Sequence, residues 1–168
     1  MSRTYNILFL CTGNSARSIM AEAICRQVSK GRFIAYSAGS QPLGYVHPMA
    51  LEKVASLGMD AAGFRSKNWD EFAAVDAPKL DFVITVCDKA AGEVCPVWPG
   101  QPIQAHWGFP DPVAVTDPDL QKRVFNDIFG GLRRRIELMV NLPLETLDRQ
   151  SLQRDVQALH QNADTSKI

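Results

Sequence analysis

Eight residues, Cys11-Thr12-Gly13-Asn14-Ser15-Ala16-Arg17-Ser18, stand between the apolar run Ile7-Leu8-Phe9-Leu10 and the helix-like run Ile19-Met20-Ala21-Glu22-Ala23-Ile24. The order reads as strand, tight loop, helix N-terminus. A cysteine and an arginine bracket five small or polar residues whose backbone N–H groups can turn inward. Such a loop at a helix start is an oxyanion site, because amide donors and the positive end of the helix dipole converge there. The same field favours the thiolate of a cysteine lodged in the loop. The chain is therefore expected to do nucleophilic chemistry on a tetrahedral oxyanion.

The remainder of the chain places that loop in a fold. Residues 5–10 read as a first strand, apolar almost throughout, as in a parallel strand covered on both faces. Residues 18–29 read as a helix with Ile19, Ala23, Ile24 and Val28 as its inward stripe. A second strand is expected over 33–38. A second helix starts at His47-Pro48 with Ala50, Leu51, Val54, Ala55 and Leu57 inward, and Gly58 stops it. A short helix is expected near Trp69–Phe72 and a third strand over 82–86. Residues 87–102 form a long loop with room for one helical turn, and 103–107 a short fourth strand. Asp117-Pro118 reads as an N-cap with proline at the first helical position. The helix it opens runs to about Asn141 and buries Leu120, Val124, Ile128, Leu132, Ile136 and Met139. A last helix, 148–161, carries Leu152, Val156 and Leu159 on one side, and the tail frays from Asn162.

This alternation predicts an α/β fold, a doubly wound four-stranded parallel sheet flanked by helices, with an extra C-terminal helix. In such sheets ligands bind at the carboxyl ends of the strands. The Cys11 loop, Cys87 and Asp111 each follow a strand end, so they are expected to converge on one edge.

Composition narrows the function classes. The chain has 168 residues, with 18 Lys plus Arg and 18 Asp plus Glu. Balanced charge gives no global field for nucleic acid or an anionic membrane, so any anion specificity is local. No window approaches the ~20 apolar residues of a membrane span, and the N-terminus lacks a secretory h-region. A soluble, cytoplasmic protein is expected, in which four cysteines are catalytic, buried or redox-active rather than structural disulfides.

A cysteine nucleophile attacking phosphate or arsenate must be a thiolate, must have the anion's charge cradled, and needs the leaving oxygen protonated. Cys11 is the candidate nucleophile. The backbone of Thr12, Gly13, Asn14, Ser15, Ala16 and Arg17 is the candidate cradle, with Arg17 clamping two oxygens through its planar fork. Ser18 is placed to donate to the Cys11 sulfur, and Asn14 to lock the loop by side-chain to backbone bonds. Asp111 is the candidate general acid; Asp117 is better explained as a helix cap. A lone cysteine after a strand is ordinarily a small buried hydrophobe, but C-x5-R-S between strand and helix is far more specific. His47 and His106 read as structural histidines, and no histidine near Cys11 in sequence suggests a Cys/His protease. Cys25, mid-helix, reads as packing.

The Cys11–Ser18 loop after an N-terminal strand, with an Asp-Pro loop about a hundred residues on, resembles the low-molecular-weight protein tyrosine phosphatase fold. Tyr-Ser-Ala-Gly at 36–39, Val-Cys at 86–87, Cys-Pro at 95–96 and His-Trp-Gly-Phe-Pro-Asp-Pro at 106–112 add a likeness to the arsenate reductases built on that fold. The likeness covers about residues 5–142, so 1–142 is expected to be the catalytic domain and 143–168 a C-terminal helical extension of it with a packing or dimer role. The resemblance implies a thiol relay. Cys11 attacks arsenate, Cys87 attacks the adduct to release arsenite and leave a Cys11–Cys87 disulfide, and Cys95 attacks Cys87 to leave Cys87–Cys95. Disulfide bridging requires Cα atoms within about 7 Å, and seven residues separate Cys87 from Cys95, so the intervening segment must fold back. No cofactor is bound on this reading; the electrons come from an external thiol reductant, thioredoxin or glutathione with glutaredoxin.

Two departures accompany the resemblance. The Cys87-to-Cys95 gap is one residue longer than in thioredoxin-coupled members. Some members hold a potassium ion through residues matching Asn14, Glu22 and Ser37, but their acidic fourth ligand falls at Lys67. A lysine ammonium in the cation's place implies no bound metal; a solvated surface lysine is the plainer alternative. Two competing functions stand beside the reductase. A low-molecular-weight tyrosine phosphatase would hydrolyse phosphotyrosine through a Cys11 phosphoenzyme, but Gln41, Pro42, Leu43, Pro112 and Val113 provide no aromatic pair to line a phenyl slot. A non-catalytic anion sensor would leave Cys11, Arg17, Ser18 and Asp111 together unexplained.

Overall fold

A computed structural model of the chain describes residues 3–87, 98 and 101–165, with side chains described as far as 160. Four strands, β1 (Tyr5–Cys11), β2 (Phe33–Gly39), β3 (Phe82–Thr85) and β4 (Ile103–His106), form one sheet in the order β2-β1-β3-β4. All three pairings are parallel, as the continuous apolar runs require. Four helices are described: α1 (Arg17–Val28), α2 (Pro48–Ser56), α3 (Pro118–Val140) and α4 (Arg149–Thr165). The expected turn at Trp69–Phe72 is 3-10 in form and is capped by Asn68, whose side chain accepts from the Asp70 amide.

Strand residues alternate between two cores. Ile7, Phe9 and Ile84 face a large cluster closed by α1, α3 and α4. Leu8, Leu10 and Val83 face a smaller one with Phe72, Leu80 and Trp98. Because α1 packs against the sheet on one side and against α2 residues such as Val54 on another, Ser18 through Cys25 are all buried. The helix thus lies in the core rather than presenting a single stripe. Two expectations about other helix faces fail. Ala55 on α2 is exposed, because the short helix buries only Ala50 and Val54. Leu120 is 46% exposed, since the first turn of α3 overhangs the core and Phe125 is its first buried residue.

The C-terminal helix closes the sheet edge. Gln157 accepts from the His106 amide and donates to the His106 carbonyl, both at 2.9 Å. Gln153, one helical turn earlier, makes the same pair of bonds with the backbone of Gln104. Glutamines spaced i, i+4 thus serve strand residues spaced i, i+2 and blunt an edge that would otherwise template aggregation. Trp107, fully buried, donates its indole N–H to the Val156 carbonyl at 3.0 Å. The helix runs to Thr165, past the expected fraying point.

Candidate active site

The loop after β1 is shaped from behind. The carbonyls of Thr12, Gly13 and Ser15 accept from the amides of Gln41, Leu43 and His47 at 2.9, 3.0 and 2.8 Å. In a trans peptide the carbonyl and the next N–H point opposite ways, so the Gly13, Asn14 and Ala16 amides turn away from that outer shell. The N-cap of α1 is Ala16, with no side-chain cap bond, which leaves the helix start as an anion site. Gly39, at the end of β2, is sterically required: a Cβ there would stand 2.4 Å from the Thr12 carbonyl oxygen and 2.8 Å from that of Cys11.

Asn14 locks the turn. Its φ of +45° lies in the left-handed region, which asparagine tolerates better than most residues. Its Oδ1 accepts from the Lys67 amide at 2.9 Å and its Nδ2 donates to Ser18 Oγ at 2.7 Å. Ser18 Oγ lies 3.0 Å from Cys11 Sγ. Ser18 Oγ thus links the Asn14 side chain to the Cys11 sulfur.

Cys11, Cys87, Arg17 and Asp111 line one pocket of ≈ 470 Å3, together with Leu43, Phe109 and Val113. The strand-end convergence expected from sequence is therefore present. The Thr12 amide, expected in the anion cradle, instead donates to Cys87 Sγ at 3.3 Å, and the Thr12 hydroxyl lies 3.6 Å from the same sulfur. Cys11 and Cys25 are free thiols, and Cys87 is buried. Cys95 and the segment around it, 88–97, lie outside the described residues.

Arg17, only 12% exposed, donates from Nη1 to the Phe109 carbonyl at 2.9 Å, and its Nη2 lies 3.7 Å from Asp111 Oδ1. Its buried Nε has no hydrogen-bond partner among the described residues, and a fork with an idle donor matches an oxyanion. Asp111 is half-exposed and also caps the turn Pro112–Ala114, accepting from the Val113 amide at 3.0 Å. Asp117 caps α3 through the Leu120 amide at 2.9 Å. The two Asp-Pro dipeptides thus divide as expected: one at the site, one at a helix start.

Beneath the loop lies a buried polar cluster. Glu22, 3% exposed, accepts from Ser37 Oγ at 2.5 Å and pairs with Arg26. The Lys67 side chain is 9% exposed, so it is not a solvated surface lysine. Its ammonium lies 4.0 Å from Glu22 Oε1, 3.4 Å from Ser37 Oγ and 2.8 Å from the Arg65 carbonyl. Burial raises the Glu22 carboxyl and lowers the Lys67 ammonium from their ordinary ranges, outweighing their mutual attraction.

The residues set aside as structural behave so. His47 caps α2 through Nδ1, which accepts from the Met49 amide at 3.1 Å, and burial lowers its basicity. His106 Nδ1 is 2.7 Å from Thr85 Oγ1. Cys25 is fully buried, and desolvation pushes its thiol far above the usual range. Sequence reasoning missed Phe109, whose carbonyl anchors Arg17. It sat inside the quoted 106–112 motif without a role, because a backbone acceptor leaves no trace in residue type.

Residues 6–158 match the model of a family described as low molecular weight phosphotyrosine protein phosphatase. A relative named arsenate reductase from Halalkalibacterium halodurans is 36% identical over 132 residues, 78% of this chain and 91% of the relative. A solved structure described as an arsenate reductase in the phosphate binding state superposes with a TM-score of 0.63 at 29% identity, over 82% of this chain and 97% of that one. A thioredoxin-dependent arsenate reductase from Corynebacterium glutamicum gives 0.55 at 26% identity, over 82% of this chain and 64% of that one.

Proposed function

The chain belongs to the low-molecular-weight phosphotyrosine protein phosphatase family, and within it we propose that it is an arsenate reductase working through thiols. The observation that carries this reading is the contact of Cys87 with Thr12. It holds a second thiol at the mouth of the pocket that Cys11 lines. A phosphatase hydrolyses its cysteine adduct with water and has no use for that thiol.

The chemistry proceeds as follows. The Cys11 thiolate attacks arsenic, forming an S–As bond, and an oxygen leaves as water after protonation by Asp111. The Gly13–Arg17 amides and the Arg17 fork hold the remaining oxygens. The Cys87 thiolate then attacks Cys11 Sγ. The S–As pair returns to arsenic, which leaves as arsenite, reduced by two electrons, and a Cys11–Cys87 disulfide forms. Cys95 attacks Cys87 Sγ and expels the Cys11 thiolate. An external thiol reductant, thioredoxin or glutaredoxin with glutathione, reduces the Cys87–Cys95 disulfide and takes up the oxidation. We read Lys67 as an internal cation for Glu22, supporting Asn14 in place of a bound metal ion.

Arsenate and aryl phosphate turnover, measured side by side, test this reading. Cys87→Ser is expected to abolish multiple-turnover arsenite production while Cys11-dependent hydrolysis of p-nitrophenyl phosphate persists. Undiminished arsenate turnover in Cys87→Ser would refute the relay, and aryl phosphate turnover far more efficient than arsenate turnover would favour the phosphatase.

A further inference from the structure

Arg135 is 1% exposed, the most deeply buried charged side chain among the described residues, and it lies 22 positions in sequence from Val113, the nearest residue of the pocket lining. It projects from α3 beneath Phe109. Its Nη1 donates to the Gly131 carbonyl at 2.9 Å, its Nε to His160 Nδ1 at 3.0 Å and its Nη2 to the His160 carbonyl at 3.4 Å. The guanidinium carbon stands 4.6 Å from the Phe109 ring centroid, within stacking range. The His160 ring meets the same ring edge-on, with centroids 6.0 Å apart. Gly131 completes the seat, because a Cβ there would lie 2.9 Å from Phe109 Cε1 and 3.2 Å from Arg135 Nη1.

The backbone of Phe109 faces the other way. Its amide donates to the Val86 carbonyl at 3.1 Å, one residue before Cys87, and its carbonyl accepts from Arg17 Nη1 at 2.9 Å. Phe109 therefore joins two assemblies: a clamp on its ring from α3 and α4, and the oxyanion arginine on its carbonyl. A buried guanidinium is costly, and apolar residues of similar volume often replace one without loss of stability. Packing alone does not account for a cation here.

We propose that Arg135, His160 and Gly131 are positioning residues that set oxyanion affinity by fixing Phe109 and, through its carbonyl, the Arg17 guanidinium. The C-terminal helix is then part of the site's machinery as well as a cover for the sheet edge. The proposal rests on the preceding reading only in taking Arg17 as the oxyanion clamp; arsenate reduction is not required.

Inorganic phosphate is the probe, with its Kd measured by calorimetry and, independently, by protection of Cys11 from iodoacetamide. His160→Leu and Gly131→Ala are expected to weaken phosphate binding roughly five- to twenty-fold, within the range of couplings through shared contacts. His160→Asn, whose Oδ1 stands where the accepting Nδ1 does, should stay within about two-fold of wild type by the same logic. Gln153→Ala, which loosens the sheet edge at its far end, should lower Tm and leave the phosphate Kd unchanged. In an Arg17→Lys background, His160→Leu should weaken binding little further. An unchanged Kd in His160→Leu, failure of His160→Asn to rescue, or a full additional loss in the Arg17→Lys background would each overturn the proposal. Wild-type protein that binds phosphate without reducing arsenate would sink the reductase reading and leave this one standing.

Discussion

Cys87 Sγ accepts a hydrogen bond from the Thr12 amide at 3.3 Å. The first amide after Cys11 thus meets the second thiol. The bond holds the Cys87 sulfur against the loop that carries Cys11, where the second step of the relay requires it. Thr12→Pro, which removes that donor, is expected to slow arsenite release in a single turnover while Cys11 alkylation by iodoacetamide continues at a near wild-type rate. Rapid-quench analysis of arsenite checks it; unchanged release would show that the contact has no part in the chemistry.

Ser18 governs the first step. Its Oγ lies 3.0 Å from Cys11 Sγ and accepts from Asn14 Nδ2. A hydrogen bond to a charged group is worth about 1.5–3 kcal/mol, so Ser18→Ala is expected to slow iodoacetamide alkylation of Cys11 at pH 7 by roughly ten- to hundred-fold. Asn14→Asp keeps the acceptor for the Lys67 amide and loses the donor to Ser18, and a smaller loss is expected from it.

The Lys67–Glu22 cluster makes a prediction about pH. Because the folded state raises the Glu22 value above the ordinary 4.5, its contribution to stability is fully present below that pH and is lost as pH rises through the raised value. Wild-type protein should therefore lose stability relative to Glu22→Gln over that window in urea unfolding. At pH 7, Lys67→Met leaves Glu22 with Arg26 in direct contact and Arg65 farther off as its cations and should cost roughly 3 kcal/mol, the scale of a broken buried pair. The double variant Glu22→Gln/Lys67→Met should recover most of that cost. A single Lys67→Met variant as stable as wild type would show that the ammonium does not support the cluster.

Removing α4 by truncation after Leu147 exposes the surface covering Leu152, Val156 and Leu159 and strips four hydrogen bonds from the β4 edge. At about 1.5–3 kcal/mol per buried aliphatic side chain, the loss rivals the ~5–15 kcal/mol stability of a typical domain. The truncated chain should be unfolded or aggregated at 25 °C by circular dichroism and light scattering. A soluble, two-state truncated protein would contradict the assigned role of the helix.

The parallel sheet, the strand–loop–helix form around Cys11 and the cap at Asp117 were legible in the sequence because each rests on local signals: apolar runs, a spaced motif, a proline after an aspartate. Arg135 and His160 were not. An arginine within Arg133-Arg134-Arg135 reads as solvated charge, and only the packing of α3 on α4 shows that the third of them is buried. The glutamine cover of β4 escaped for the same reason, since Gln153 and Gln157 lie about fifty residues from the strand they serve. Leu120 and Ala55 were assigned to the core by helical period alone, which locates a face but not where the neighbouring element ends.

The central claim is that the oxyanion adduct is resolved by thiols rather than by water. The most direct measurement is the disulfide map of the protein after one turnover with arsenate and no reductant, read by peptide mass spectrometry. The account predicts one arsenite released per chain, with Cys87 bridged to Cys95 and Cys11 returned to the free thiol. No arsenite released, with all four cysteines still reduced, or arsenite released with a disulfide that leaves out Cys87 or Cys95, would contradict it.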